Sequence, residues 1–337
     1  MIREVAYSIQ RALEAADFVM RAGQLAAALE VCGYPKPGNV HRLRDYSDTK
    51  FEHFIAGSIA MGPALREAAL RGARVGMGEL EASEVGVGEL IRKTLGDVRE
   101  WHRGGNTHLG IALLFIPLAA AAGASCAEGG LDLEGVRRAF GSIARSTTAR
   151  DAAEFYRAIS EVKPGGLGRV EGLPDVSAPE SAREVESEGL TLYELMVASS
   201  AWDMVAAEFA RELEIAALEG YPSILELLEE TDDLNVAIVH TYLRLLSRHP
   251  DTFVARKYGL RFVEDAPKAV EVGMRAARRV SERARGVLEL GGLLSEEGTE
   301  ALREFDEELA EEGLNPGSTA DIVATSLFLA LLLGLRP

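Results

Sequence analysis

Apolar residues recur three and four positions apart along most of this chain, the spacing of one face of a helix. The pattern predicts an amphipathic helix over 2–32 that ends near Gly33. A second helix follows through Phe51, Phe54, Ile55 and Ile59 with Ser47 and Asp48 as its cap, and a third covers Leu90–Trp101 after a loose glycine-rich stretch at 72–90. Further helices are expected over Leu133–Phe140 and Thr148–Ile159, then over 195–218, 222–230, 234–248, 266–290 and 297–312. Two runs, Ile111–Ala122 and 322–335, are apolar all round and read as helices buried on every side. Their length, and Pro117, Thr325 and Ser326 in or beside them, favour core helices over membrane spans of about 20 residues.

Period-2 runs of β-branched residues are scarce, so the expected fold class is all-α, a large multi-helix globular fold with two interlocked halves. The halves are 1–160 and 190–337. The segment 161–189, rich in glycine, acids and proline (Pro164, Pro174, Pro179), connects them within a single structural unit. A net charge of −17 argues against nucleic acid or an anionic membrane as partner and makes any anion site a local one. Cys32 and Cys126 are far apart and lack ligand-spaced neighbours, which excludes a disulfide framework or zinc site and fits a reduced compartment. Arg11, Glu14 and Asp17 interrupt the first apolar pattern, so no signal-peptide core is expected and the location reads as cytoplasmic.

The junctions between helices carry the chemistry. Gly104-Gly105-Asn106-Thr107-His108-Leu109-Gly110 sets two glycines and three polar side chains before a buried helix; Thr107 reads as its N-cap, and the free N–H groups there suit a phosphate. Tyr34-Pro35-Lys36-Pro37-Gly38-Asn39-Val40-His41-Arg42 is rigid and cationic, an expected anion clamp through Lys36, His41 and Arg42. His53 alone reads as a packed or surface histidine. Asn315-Pro316-Gly317-Ser318-Thr319-Ala320-Asp321 opens the last apolar helix. Its Ser318-x-x-Asp321 is either a capping box or a carboxylate held at the core's rim for a cation. Only four asparagines occur, and all of them (Asn39, Asn106, Asn235, Asn315) fall in such junctions.

In order along the chain, Lys36-Pro37-Gly38, Gly105-Asn106-Thr107-His108-Leu109-Gly110, Gly168-Arg169-Val170-Glu171-Gly172, Asp251-Thr252 and Pro316-Gly317-Ser318-Thr319-Ala320-Asp321 resemble the triphosphoribosyl-dephospho-CoA synthase family over roughly residues 20 to 335. Asn39-Val40-His41 stands where the familiar synthases tend to read Leu-Val-Asp, which marks a diverged branch. The resemblance implies an all-helical enzyme that moves the triphosphoribosyl group of ATP to a hydroxyl of 3′-dephospho-CoA or a related acceptor and releases adenine.

On that reading the phosphates fall to Lys36, Arg42, Arg256 and Lys257 with the helix start at Thr107. Asp251 and Asp321 would bind Mg²⁺, His108 would be the base, and Asn106 would orient a hydroxyl or the leaving base. Gly38, Asn39, His41, Gly105, Arg169, Ser318 and Thr319, standing in the matching motifs or beside them, join the expected substrate-binding set. Catalytic roles fall to Asn106, His108 and Asp321. The expected partners are small molecules, with a homodimer left open. Two rival readings remain: an ATP-dependent ribosyl or phosphoribosyl transferase of another coenzyme pathway, and a non-catalytic helical nucleotide-binding protein that binds ATP without releasing adenine.

Overall fold

A computed structural model describes residues 2–176, 178 and 180–337, and no strand forms among them. Pro179 of the connecting segment lies outside the described residues. The first helices are α1 (Ile2–Cys32), α2 (Phe51–Ala60), α3 (Gly62–Gly76), α4 (Val87–Trp101), α5 (Leu109–Glu128), α6 (Leu133–Arg145) and α7 (Ala149–Val162). They are followed by α8 (Ser181–Glu188), α9 (Leu192–Ser199), α10 (Met204–Ala210), α11 (Tyr221–Thr231) and α12 (Leu234–Arg248). The last are α13 (Thr252–Gly259), α14 (Ala266–Glu289), α15 (Glu296–Glu312) and α16 (Gly317–Leu332).

The two apolar runs form the centre. Every residue of α16 from Ile322 to Leu332 is buried, as is every residue of α5 from Ile111 to Ser125, and Phe115 of α5 meets Phe328 of α16 with ring centroids 4.7 Å apart. Each such fully buried Leu or Phe stabilises by about 1.5–3 kcal/mol. At 20 residues α5 is longer than its apolar run suggested and long enough to cross a membrane, yet 83% of its most apolar window is buried within the protein. Glycine brings α3 and α5 into backbone contact: a Cβ at Gly72 would lie 1.9 Å from the Ala120 carbonyl oxygen, and one at Gly123 would lie 2.0 Å from that of Ala69. Neither position has space for a side chain.

The helix expected over 195–218 is broken, and the break shapes the site. Asp203 accepts hydrogen bonds from the Val205 and Ala206 N–H groups (2.9 and 3.0 Å) and so starts a new helix, α10. Glu212 and Leu213 then adopt positive φ, and the buried Glu208 carboxylate accepts the N–H groups of Ile215 and Ala216, both at 2.8 Å. Local periodicity continues through this stretch, but the buried acid and the cap outweigh it. Segment 161–189 also carries structure, with α8 inside it and Arg169 joined through its backbone to Glu264 and Ala266 (3.0 and 2.6 Å).

Candidate active site

Helix starts and loops from across the sequence surround a cavity of about 610 Å³, within the usual size of small-molecule sites. Its wall combines the carboxylates Glu30, Asp48, Asp203 and Asp321, the cations Lys163, Arg256 and Lys257, and the amides Asn39, Asn106 and Asn315. Phe155, Tyr156, Leu195, Met196, Trp202 and Phe253 supply much of its apolar surface.

Asp251 and Asp321 look alike in the sequence, each standing near a helix start, but the fold separates their roles. Asp251 is fully buried. One of its carboxylate oxygens accepts from the N–H groups of Phe253 and Val254 (2.8 and 3.0 Å) at the start of α13, and the other accepts from the Thr319 N–H and hydroxyl (2.7 and 2.8 Å) at the start of α16. One carboxylate therefore caps two helices, where the positive ends of both dipoles favour it. Burial pushes its pKa up and these hydrogen bonds pull it down. It does not line the cavity and its oxygens are already used, so the expected metal role of Asp251 is corrected to a structural one. Thr319 goes with it: fully buried and bound to Asp251, it is not a substrate contact.

Because Asp251 serves the start of α16, the Ser318-x-x-Asp321 capping box does not form, and Asp321 is left for the cavity. Its carboxylate rests against the first turn of α5, where a Cβ at Gly110 would lie 2.0 Å from Oδ2. Burial raises the Asp321 pKa well above the usual carboxylate value, and the charges of Glu30, Asp251 and Asp203 raise it further. Such an environment favours a proton or a cation. Ser318, also in the cavity wall, stays beside it.

In the 104–110 motif the N-cap position belongs to His108, with no side-chain cap, in place of the expected Thr107. Gly105 is anchored by its N–H to the Asp48 carbonyl at 2.8 Å, and Gly105, Asn106 and Thr107 line the cavity. His108 does not line it. The ring is fully buried behind Thr107, beside Phe54 and against Gly57, with Nδ1 2.6 Å from Thr107 Oγ1 and Nε2 without a partner. Burial first, and the nearby His102 second, push its pKa down to about 3, so the expectation of a base titrating near neutrality is overturned.

The 34–42 loop is a structural knot. Lys36 is fully buried, its ammonium paired with the Glu30 carboxylate and donating to the Glu30 carbonyl at 3.1 Å. Asp306 accepts from the Gly38 N–H (3.1 Å) and from Arg44 (2.7 Å), and it pairs with His41 at 3.1 Å. Arg42 donates to the Cys32 carbonyl at 2.7 Å and lies over the Tyr34 ring. Asn235 clamps the Tyr34 backbone through both its N–H and its carbonyl, at 2.9 and 2.8 Å. Lys36, Gly38, His41 and Arg42 are all absent from the cavity wall, and of the residues expected from this loop only Asn39 reaches it, paired with Asn315 at 2.9 Å. The anion clamp expected here is corrected: the cationic groups answer buried or backbone acceptors. Arg169 is also elsewhere, exposed and paired with Asp175 at 3.2 Å.

Arg256 and Lys257 do reach the cavity. Arg256 donates to Asp203 at 2.5 Å, its guanidinium lies 5.8 Å from the Trp202 ring centre and 5.7 Å from that of Phe253, and its buried Nε has no partner. Sequence reasoning missed Glu30, Asp48, Asp203 and Lys163. Glu30 alone had a readable signal, an acid between Ala26, Ala27 and Val31 on the buried stripe of α1. Among the described residues no three His, Cys, Asp or Glu side chains converge on a metal-sized site.

The chain is a transferase, and comparison with known proteins gives its kind. Residues 16–336 match the CitG family, ATP:dephospho-CoA triphosphoribosyl transferase, and the chain belongs to that family. A Klebsiella pneumoniae 2-(5''-triphosphoribosyl)-3'-dephosphocoenzyme-A synthase is 33% identical over 112 residues, which span 33% of this chain and 32% of that protein. A Salmonella gallinarum protein named as a probable synthase of the same kind is 26% identical over 330 residues, 97% of this chain and 94% of its own. A solved Archaeoglobus fulgidus structure, provisionally described as a triphosphoribosyl-dephospho-CoA synthase, superposes with a TM-score of 0.60 at 24% identity, covering 85% of this chain and all of that one, and so shares the fold.

Proposed function

We propose that this chain transfers the triphosphoribosyl group of ATP to a hydroxyl of 3′-dephospho-CoA or a related acceptor and releases adenine. The observation that carries the reading is the division of charge within one cavity, with Arg256, Lys257 and Lys163 in the same wall as Asp321 and Glu30. A triphosphate needs the cations. An oxocarbenium-like C1′ is stabilised by carboxylates. The C1′–N bond to adenine breaks, the acceptor oxygen bonds to C1′, and the acceptor's hydroxyl proton ends on the departing adenine.

Arg256, gripped by Asp203 and flanked by two aromatic rings, holds a phosphate through its free Nε–H, and Lys257 adds a second charge. Asn106, half-buried in the wall, orients the leaving base or a hydroxyl. Asp321, whose setting favours a cation, would hold Mg²⁺, which accepts one or two protein carboxylates and takes its remaining ligands from water and substrate phosphates. The ion would neutralise phosphate oxygens. The free cysteines suit a reduced, cytoplasmic setting.

Free adenine measured chromatographically from ATP and Mg²⁺, with and without 3′-dephospho-CoA, tests the reading. Acceptor-dependent adenine release is expected, with Asp321→Asn losing both turnover and the Mg²⁺ dependence of ATP affinity. ATP bound but never cleaved, whichever acceptor is supplied, would leave a nucleotide-binding protein.

A further inference from the structure

One side of the cavity is an apolar compartment. Phe155, Ile159 and Val162 recur at four and three residues, so a single face of α7 lines it. Leu195 and Met196 of α9, with Leu173 and Val176 of the connecting segment, complete the wall. Hydrogen bonds tie the three elements together. The Tyr156 hydroxyl donates to the Pro174 carbonyl at 3.2 Å, and the Tyr193 N–H at the start of α9 donates to Thr147 Oγ1, just before α7, at 3.0 Å. Phe155, Ile159, Leu195 and Met196 are only 3–6% exposed although they line the cavity, so the compartment is sheltered from bulk water.

Beyond α7 the wall continues as residues 163–168, of which Pro164, Leu167 and Gly168 also line a neighbouring cavity of about 670 Å³. Here the N–H groups of Gly165, Gly166 and Gly168 have no hydrogen-bond partner among the described residues. The compartment thus offers apolar side chains edged with unpaired backbone groups. Of the two substrates proposed above, one has a portion of matching character. ATP consists of base, sugar and charged phosphates; its adenine is bonded to the reacting carbon and falls to Asn106, and its phosphates fall to Arg256 and Lys257. 3′-Dephospho-CoA carries, beyond its nucleotide diphosphate, the uncharged pantetheine arm, built of methyl and methylene groups, two amides and a thiol. The hydrocarbon groups gain by leaving water for such a wall. The amides need hydrogen-bond partners once they leave water, and the unpaired backbone supplies them.

We propose that the compartment between α7, α9 and the 167–176 segment is the subsite for the pantetheine arm of the acceptor. This subsite rests on the substrates proposed above. It gives the apolar side of the cavity to the acceptor and leaves the polar side for the reacting groups, and it makes the connecting segment a determinant of acceptor choice.

ADP is dephospho-CoA cut back to its diphosphate, so the ratio of their affinities isolates the arm wherever the nucleotide sits. Calorimetric titration of the whole chain with ADP, ATP and dephospho-CoA measures that ratio without turnover. Wild type should bind dephospho-CoA at least about 10-fold more tightly than ADP. Leu173→Asn should cut this advantage by about 3- to 10-fold, the loss of one partly buried leucine contact, and should change ADP and ATP by less than about 2-fold. Leu173→Met, which keeps the apolar contact, should retain the wild-type ratio. Val176→Asn repeats the test from the same segment; both side chains are only half-buried, and circular dichroism checks that each variant is folded. An advantage that survives both asparagine substitutions would overturn the proposal. Equal weakening of all three ligands would do so too, because the compartment would then hold adenine, and so would wild type that binds dephospho-CoA no better than ADP. If the binding pattern holds but wild type releases no adenine from ATP and dephospho-CoA, the transfer reading alone falls and the subsite stands.

Discussion

Replacing Asp251 by asparagine separates a structural carboxylate from a metal ligand. The amide oxygen can keep the N–H groups of Phe253 and Val254, as asparagine is a good helix cap. The amide nitrogen then faces the Thr319 N–H, now 2.7 Å from Oδ2, so a buried donor loses its acceptor while the Thr319 hydroxyl can turn to accept. An unsatisfied buried N–H costs about 1–3 kcal/mol. Removing the charge from between two helix starts costs about another 0.5–2 kcal/mol, given that the site is buried. The loss is about 1.5–5 kcal/mol. For 337 residues the entropy of unfolding is about 0.7 kcal/mol/K, so Tm should fall by about 2–7 °C. Differential scanning calorimetry reads the shift, and titration of ATP with and without Mg²⁺ should show the metal effect intact. A variant that melts within 1 °C of wild type, or one that melts normally and loses its Mg²⁺ response, would refute the argument and restore Asp251 as a ligand.

Glu208 gives a pH prediction. Burial raises its pKa from 4.5 to about 7, so the folded state holds a proton that the unfolded chain releases, and the resulting stability is full below pH 4.5 and lost as pH rises through about 7. The amplitude is about 3 kcal/mol, and the urea-midpoint difference between wild type and Glu208→Gln should change across that window and stay flat above it. For His108, adenine release should show no inflexion near pH 6–7 arising from this ring, and His108→Gln should lower Tm without reshaping the pH–rate profile; a profile that loses a limb in the variant would reinstate it as a base. Lys36→Met leaves Glu30 buried without its cation and should cost about 3–5 kcal/mol by chemical denaturation. Combined with Glu30→Gln, which removes the stranded charge from the cavity wall, it should weaken ATP and adenosine equally, since a selective loss for ATP would then mean that Lys36 reaches the phosphates.

What the sequence alone determined is whatever acts within a few residues. The 3.6-residue period placed most helices; the apolar runs marked α5 and α16 as the core; and the ordered motifs from Lys36-Pro37-Gly38 to Asp321 pointed to the family. Its failures have one physical cause, that the deciding contact comes from far along the chain. Asp251 and Asp321 carry the same signal at helix starts, and only a hydrogen bond across 68 residues consumes the first and frees the second. Lys36, His41 and Arg42 read as a cationic loop because their acceptors, among them Asp306, 265 residues beyond His41, are invisible locally. His108 reads as a base until packing against Phe54 and Gly57, from much earlier in the chain, removes its water. Residue types and spacing determine which chemistry is present, whereas tertiary structure decides which groups are already satisfied and which still face the cavity, because a polar side chain has few bonds to give and the fold takes its share first.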